Sequence, residues 1–385
     1  MIYSIGSNAE PAMIGSDVVA PWRRSASHAL RRALLILATV AAVTNLAVHA
    51  TVAGKDTARA GAIGYLCFSI VLQGCAVAFR VRAQSAQGTL RMRWLLVSAG
   101  ALASALGFAP SFTEVLLHTG PARLVQTPLF TTSEAFFLLG IVLFSAGVAR
   151  SIVLVDMLQA GLFVVLRFNL EYSPATGDHF ALNHLLISQL MALFLFLAAM
   201  VACMGAASRD ELKLLRILTW FFGLRLISYF ASDQVSYVWF HHLNCSLWDV
   251  PGTALLGGIA VYLLLTNGKA VTRDEEAEPL KAPSVMVRSL MPSFLALVNL
   301  MLGLFVLRIS VSLATIAIAA SVVCYVMRTA FLHARTVEEK AQLETRNEQL
   351  EGLAVRDPLT GIGNRRALAG AAFPASASNV EPLTK

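Results

Sequence analysis

Apolar residues in this chain gather in long runs separated by short polar stretches. Crossing about 30 Å of hydrocarbon takes roughly 20 apolar helical residues. By that measure the pattern predicts ten membrane helices, at residues 33–53, 62–80, 93–109, 132–149, 151–168, 184–206, 214–232, 250–266, 286–307 and 309–329. Two junctions are brief: Ala149–Arg150, and the stretch near Arg308. Merging only the fourth and fifth runs would give one helix about 55 Å long, more than tilt absorbs. Merging both pairs gives eight spans, the alternative count. After Met327 the character changes, and residues 328–356 read as a polar, helix-favouring segment continuing the last span. Within it Leu343, Asn347, Leu350 and Ala354 recur at alternating spacings of four and three, the a/d seam of a coiled coil, with Asn347 at an a position as a register device.

Composition supports the membrane reading. Hydrophobic residues make up 57% of the chain and charged residues 14%, against about 25% charged in soluble domains. This excludes both an ordinary soluble globule and a disordered chain. The formal net charge of +7 reflects topology, with no basic face for nucleic acid. With the N-terminus in the cytoplasm, the inner segments hold Arg23, Arg24, Arg31 and Arg32; Arg80, Arg82, Arg91 and Arg93; Arg150; Arg209, Lys213 and Arg216; and Lys269, Arg273, Lys281 and Arg288. The outer segments hold only Lys55, Arg59, Arg123, Arg167 and Arg308. Positive residues favour the inside, so both termini are expected in the cytoplasm.

Few residues carry candidate chemistry. Arg225 falls within the seventh span, where a charge calls for a partner or a wet cavity. Asp156, Glu134 and Asp233 are the candidate partners, and the readings are a structural ion pair or a ligand pathway. His49, His118, His179, His184, His241 and His242 map to the outer side with Cys245, Asp178 and Glu171, but their spacing matches no zinc signature. Cys67, Cys75, Cys203 and Cys324 lie in apolar runs and read as small core residues. Outer aromatics such as Tyr172, Trp239 and Trp248 fit an interfacial belt. A ligand pocket is the other reading of them.

The most specific signal follows the polar helix. Residues 356–366 read RDPLTGIGNRR. Pro358 turns Asp357 out of helical geometry, Gly361 and Gly363 permit a sharp turn, and Arg365 or Arg366 offers a planar fork to Asp357. This segment resembles the entry turn of GGDEF domains, the catalytic domains of bacterial diguanylate cyclases, which reads D-x-L-T-G-L-x-N-R-R; only Ile362 departs from it. The resemblance implies a chain that dimerises through its signalling helix and joins two GTP molecules into cyclic di-GMP with divalent metal. It assigns Asp357, Leu359, Thr360, Gly361, Asn364, Arg365 and Arg366 a coupling role at the junction of helix and catalytic domain, not a catalytic one.

The sequence departs from that family after Arg366. Nineteen residues remain, and no GG[DE]EF segment occurs in the chain. The expectation is therefore an inactive chain with no catalytic, cofactor or metal residues of its own, a truncated, frameshifted or fragmentary member; GTP and magnesium belong to a full-length one. The expected fold is all-α: a cytoplasmic segment at 1–32, a polytopic sensory module at 33–329, a signalling helix at 330–356, and a vestigial domain start with a disordered tail at 357–385. The expected setting is a bacterial inner membrane. The expected partners are lipid, a second copy through the linker helix, and a small-molecule or physical stimulus, without nucleic acid. The alternative function is a transporter or ion-coupled carrier with an incidental tail.

Overall fold

A computed structural model of the chain describes residues 57–117, 123–142, 150–172, 180–206, 208–230 and 285–355, with Gly258 and scattered helical positions between 29 and 51. Its long elements are all helices: α1 (Thr57–Ser85), α2 (Gly88–Leu117), α3 (Arg123–Val142), α4 (Arg150–Tyr172), α5 (Phe180–Met204), α6 (Arg209–Phe230), α7 (Val285–Val306) and α8 (Val311–Val355). No strand occurs among the described residues. Six of these helices, α1 to α5 and α8, have the length and apolarity to cross a membrane. Large apolar side chains such as Leu154, Trp220, Ile227 and Leu297 face outward, as suits a lipid-facing surface. The chain is thus all-helical, with the make-up of a multi-pass membrane protein.

Of the span expected at 33–53, scattered positions from Ala33 to Thr51 are described and are helical, while the span expected at 250–266 lies outside the described residues but for Gly258, so the count of ten is not reached here. Each of the other eight overlaps one described helix. Helix α6 fails the apolar measure because Arg209, Asp210, Glu211, Lys213 and Arg216 crowd its first two turns. Helix α7 carries only a shorter apolar stretch, Ser293–Val306. Near Arg308 the chain does break: Ile309 and Ser310 both donate backbone hydrogen bonds to the Val306 carbonyl at 2.8 Å, closing a turn. Ser310 then caps α8 by accepting from the Leu313 amide at 3.4 Å.

Helix α3 begins nine residues before the expected 132. Its first half, with Thr127, Pro128, Thr131 and Thr132, looks like a loop in sequence. The hydroxyls are used inside the helix and across it. Thr131 Oγ1 donates to the Thr127 carbonyl at 2.7 Å, and Ser133 Oγ donates to the Gly100 carbonyl of α2 at 2.8 Å. Pro128, the sixth residue of α3, has no amide to give the Leu124 carbonyl one turn back.

By contact the chain divides into two units, Met1–Tyr325 and Val326–Lys385. In the first, α1 and α2 form a hairpin closed at Ala86–Gln87, with Gly88 in the left-handed region at φ +57. Two hydroxyls stitch the pair: Ser98 Oγ donates to the Ala76 carbonyl and Ser69 Oγ to the Ala105 carbonyl, both at 2.7 Å. Between lipid-embedded helices no hydrophobic drive exists, so close packing and such bonds do the holding. One apolar cluster centres on Trp94, Phe137 and Phe222. A second joins α4, α7 and the start of α8 through Phe163, Leu166, Val298, Leu302, Ala314 and Ala317.

Glycine permits a close approach of α2 and α3. A Cβ on Gly140 would stand 2.8 Å from Val97 Cγ2, and Val97 is fully buried with a stiff χ1. Gly140→Ala is expected to lower stability by about 1–3 kcal/mol, read as thermal unfolding in detergent, and adding Val97→Ala should recover part of the loss. An unchanged melting temperature for Gly140→Ala would refute the tight contact.

In the second unit, the polar part of α8 is solvent-facing: Leu343 is 59% exposed and Leu350 62%. It is supported by exposed i,i+4 pairs, Arg335–Glu339 at 2.7 Å and Lys340–Glu344 at 3.8 Å. Such pairs contribute about 0.3–0.5 kcal/mol each.

Candidate functional site: two buried charge clusters

The first cluster joins four helix ends. Ser208-x-x-Glu211 opens α6 with a capping-box sequence, and Ser208 Oγ accepts from the Glu211 amide at 3.2 Å. The Glu211 side chain pairs with Arg93 near the start of α2. Arg93 Nε also donates to the Gly140 carbonyl at 2.7 Å and Nη2 to that of Ile141 at 3.4 Å. These carbonyls lie in the last turn of α3, where the helix leaves acceptors unused. Beside them Arg82, in the last turn of α1, donates from Nη2 to both carboxylate oxygens of Asp210 at 2.6 Å. Lys213 approaches Asp210 at 3.5 Å. The two acids sit in the first turn of α6 and the arginines face them, so helix dipoles and ion pairs reinforce one another.

The second cluster lies inside the bundle. Arg167 of α4 meets Glu171 one turn on at 2.5 Å and Glu134 of α3 at 3.5 Å. It also donates to Ser188 Oγ of α5 at 3.2 Å. Arg225 of α6 reaches the other Glu134 oxygen at 3.5 Å. Two cations and two anions from three helices, with a hydroxyl from a fourth, form a neutral set. Glu134, Arg167 and Glu171 are all buried. The contacts of Glu134 with Arg167 and Arg225 and of Arg167 with Ser188 each tie one helix to another, so the network helps to set the arrangement of α3 to α6.

The structure thus gives Arg225 the partner Glu134, one of the three weighed from sequence, and so the features of a structural ion pair. Asp156 is buried near the start of α4; Asp233 lies outside the described residues. Leu343, Asn347 and Leu350 are exposed along α8, and Ala354 falls in its last turn. Asp357, Leu359, Thr360, Gly361, Asn364, Arg365 and Arg366 lie outside the described residues. So do His49, His118, His179, His241, His242, Cys245 and Asp178, while His184 falls in α5. Glu171 is engaged with Arg167. Among the described residues no group of three histidines, cysteines or acids stands together to hold a metal.

Sequence reading passed over Arg93–Glu211 and Arg167–Glu171. The signals were present: a capping box at 208–211, and opposite charges four apart in an otherwise apolar helix. A small void of about 10 Å3 lined by Leu72, Cys75, Phe79, Phe137 and Phe221 is apolar and too small for a ligand. Comparison of the chain with protein-family models, curated proteins and solved structures gives no match.

Proposed function

We propose that this chain is the membrane-embedded sensory input module of a diguanylate cyclase, set in a bacterial inner membrane with both termini in the cytoplasm. The observation that carries the reading is DPLTGIGNRR at 357–366, placed directly after a long polar helix. The form of α8 supports it. The helix is apolar through its first turns, then polar and exposed as far as Leu350, and its 45 residues span about 68 Å. That is long enough to cross a bilayer and continue several turns into water. A stimulus acting on the bundle would shift α8, and a second copy pairing along Leu343, Asn347, Leu350 and Ala354 would carry the shift to a cyclase domain. Without a GG[DE]EF sequence the 385 residues are not expected to turn over GTP.

The pairing is tested by disulfide crosslinking in membranes on a background without native cysteines. Leu343→Cys and Leu350→Cys should each give covalent dimers, and Thr345→Cys, on the opposite face of the helix, should give few. Equal crosslinking at all three positions would end the seam reading. The cyclase reading is tested separately, by joining an active GGDEF domain after Arg366. Cyclic di-GMP formation is expected, and its loss on inserting two residues at Glu348, which rotates the seam, would show coupling through the helix. Substrate uptake by liposomes carrying the chain, with no cyclase coupling, would favour a carrier instead.

A further inference from the structure

A small polar layer interrupts the apolar contact of α4, α7 and α8. Asn299 Nδ2 of α7 donates to the Gln159 carbonyl of α4 at 2.9 Å, a firm bond. The bonds that involve α8 are long. Gln159 Nε2 donates to the Ser321 carbonyl at 3.5 Å, and Ser321 Oγ donates to the Ala296 carbonyl at 3.4 Å. Gln159 is 1% exposed and Asn299 0%, yet among the described residues neither Gln159 Oε1 nor Asn299 Oδ1 has a hydrogen-bond donor. Exchanging the amide oxygen and nitrogen does not help, because it would turn each acceptor onto a carbonyl. Buried acceptors left without donors are costly, so this arrangement leaves hydrogen bonding unspent.

We propose that the layer is a two-state register device that holds α8 against α4 and α7 in either of two hydrogen-bond arrangements. Ser321 supplies the movable donor. Its hydroxyl now serves the Ala296 carbonyl, a mid-helix oxygen whose helical amide partner is available in any case. A small rotation of α8 moves that donor to an amide oxygen that lacks one. The donor gained by the buried amide is set against the 3.4 Å bond given up at Ala296 and the repacking of α8, and a small net free-energy difference between two packings is what a switchable element requires. The two helices stay in contact nearby: a Cβ on Gly303 of α7 would stand 2.7 Å from Ile318 Cγ1 of α8, so they are close-packed one turn away. This device belongs to the bundle and stands whether or not a cyclase reads α8.

Cys324, partly buried one turn beyond Ser321, is a natural reporter. The full chain, with its other four cysteines replaced by alanine, is labelled there with a trifluoromethyl group and observed by 19F NMR in nanodiscs. Two resonances, or one broadened by millisecond exchange, are expected. Asn299→Leu should shift the population ratio by about tenfold, since it removes an acceptor from one side of the exchange, and Ser321→Ala, which removes the donor from both, should leave a single sharp resonance. Gln159→Met carries the same expectation should Asn299→Leu fail to fold. A single sharp resonance for the parent chain, or two resonances indifferent to all the variants that fold, would overturn the proposal.

Discussion

Glu211→Ala is expected to lower the stability of the detergent-solubilised protein by about 3–5 kcal/mol, the usual cost of removing one partner from a buried ion pair. Arg93 is 2% exposed and sits where α2, α3 and α6 meet. Without the acid, its guanidinium keeps the carbonyls of Gly140 and Ile141, which are dipoles and do not neutralise it. Glu211→Gln retains an acceptor and should fall between Ala and the parent. Removing both charges in Arg93→Met with Glu211→Leu should recover most of the loss, because replacing a whole buried pair with apolar groups is near neutral. Thermal unfolding of the four proteins checks this, with Glu339→Ala as the exposed-pair reference, expected within about 0.5 kcal/mol of the parent. An Glu211→Ala protein that melts with that reference would show that the Arg93 pair does not hold the helix ends.

Arg167→Leu should be comparably severe, for the opposite reason: it takes a shared cation from two buried acids. Glu171 would lose the partner that the structure places at 2.5 Å, and Glu134 would keep only Arg225 at 3.5 Å. A loss of about 3–5 kcal/mol is expected. Arg225→Leu should cost less, because the Arg225 side chain is 19% exposed and Glu134 would still have Arg167. Adding Glu134→Gln and Glu171→Gln to Arg167→Leu should restore a substantial part. The order of melting temperatures decides it: Arg225→Leu falling below Arg167→Leu would make Arg225 the hub of the network and Arg167 an accessory.

The helices and their order were legible in the sequence because lipid leaves few options. A span must be helical and mostly apolar, so hydropathy alone locates α1 to α5 and the start of α8. Where the sequence misled, local polarity had a structural use. Thr127 and Thr131 look like loop residues, but Thr131 bonds to the Thr127 carbonyl within α3. Asp210 and Glu211 look like a solvated helix start but bind arginines of α1 and α2. Arg93 and Arg167 served only as markers of membrane side, because a run-by-run reading cannot show which helices are neighbours. The polar layer at Gln159, Asn299 and Ser321 gave no signal at all: each is a single residue in an apolar run, and the three are widely separated in the chain.

The sequence by itself determined an all-helical chain with the make-up of a multi-pass membrane protein and a long final helix that turns polar. Backbone hydrogen bonding in lipid and the length of a span are properties of single segments, so they can be read one segment at a time. Only the tertiary structure decided that Arg93 faces Glu211, that Glu134 sits between Arg167 and Arg225, and that two buried amides of α4 and α7 border α8 with oxygens unserved. Ion pairs and buried hydrogen bonds are relations between segments. Their distances depend on how the helices pack, and that packing is set by small residues such as Gly100, Gly140 and Gly303, whose effect appears only when a neighbouring helix lies against them.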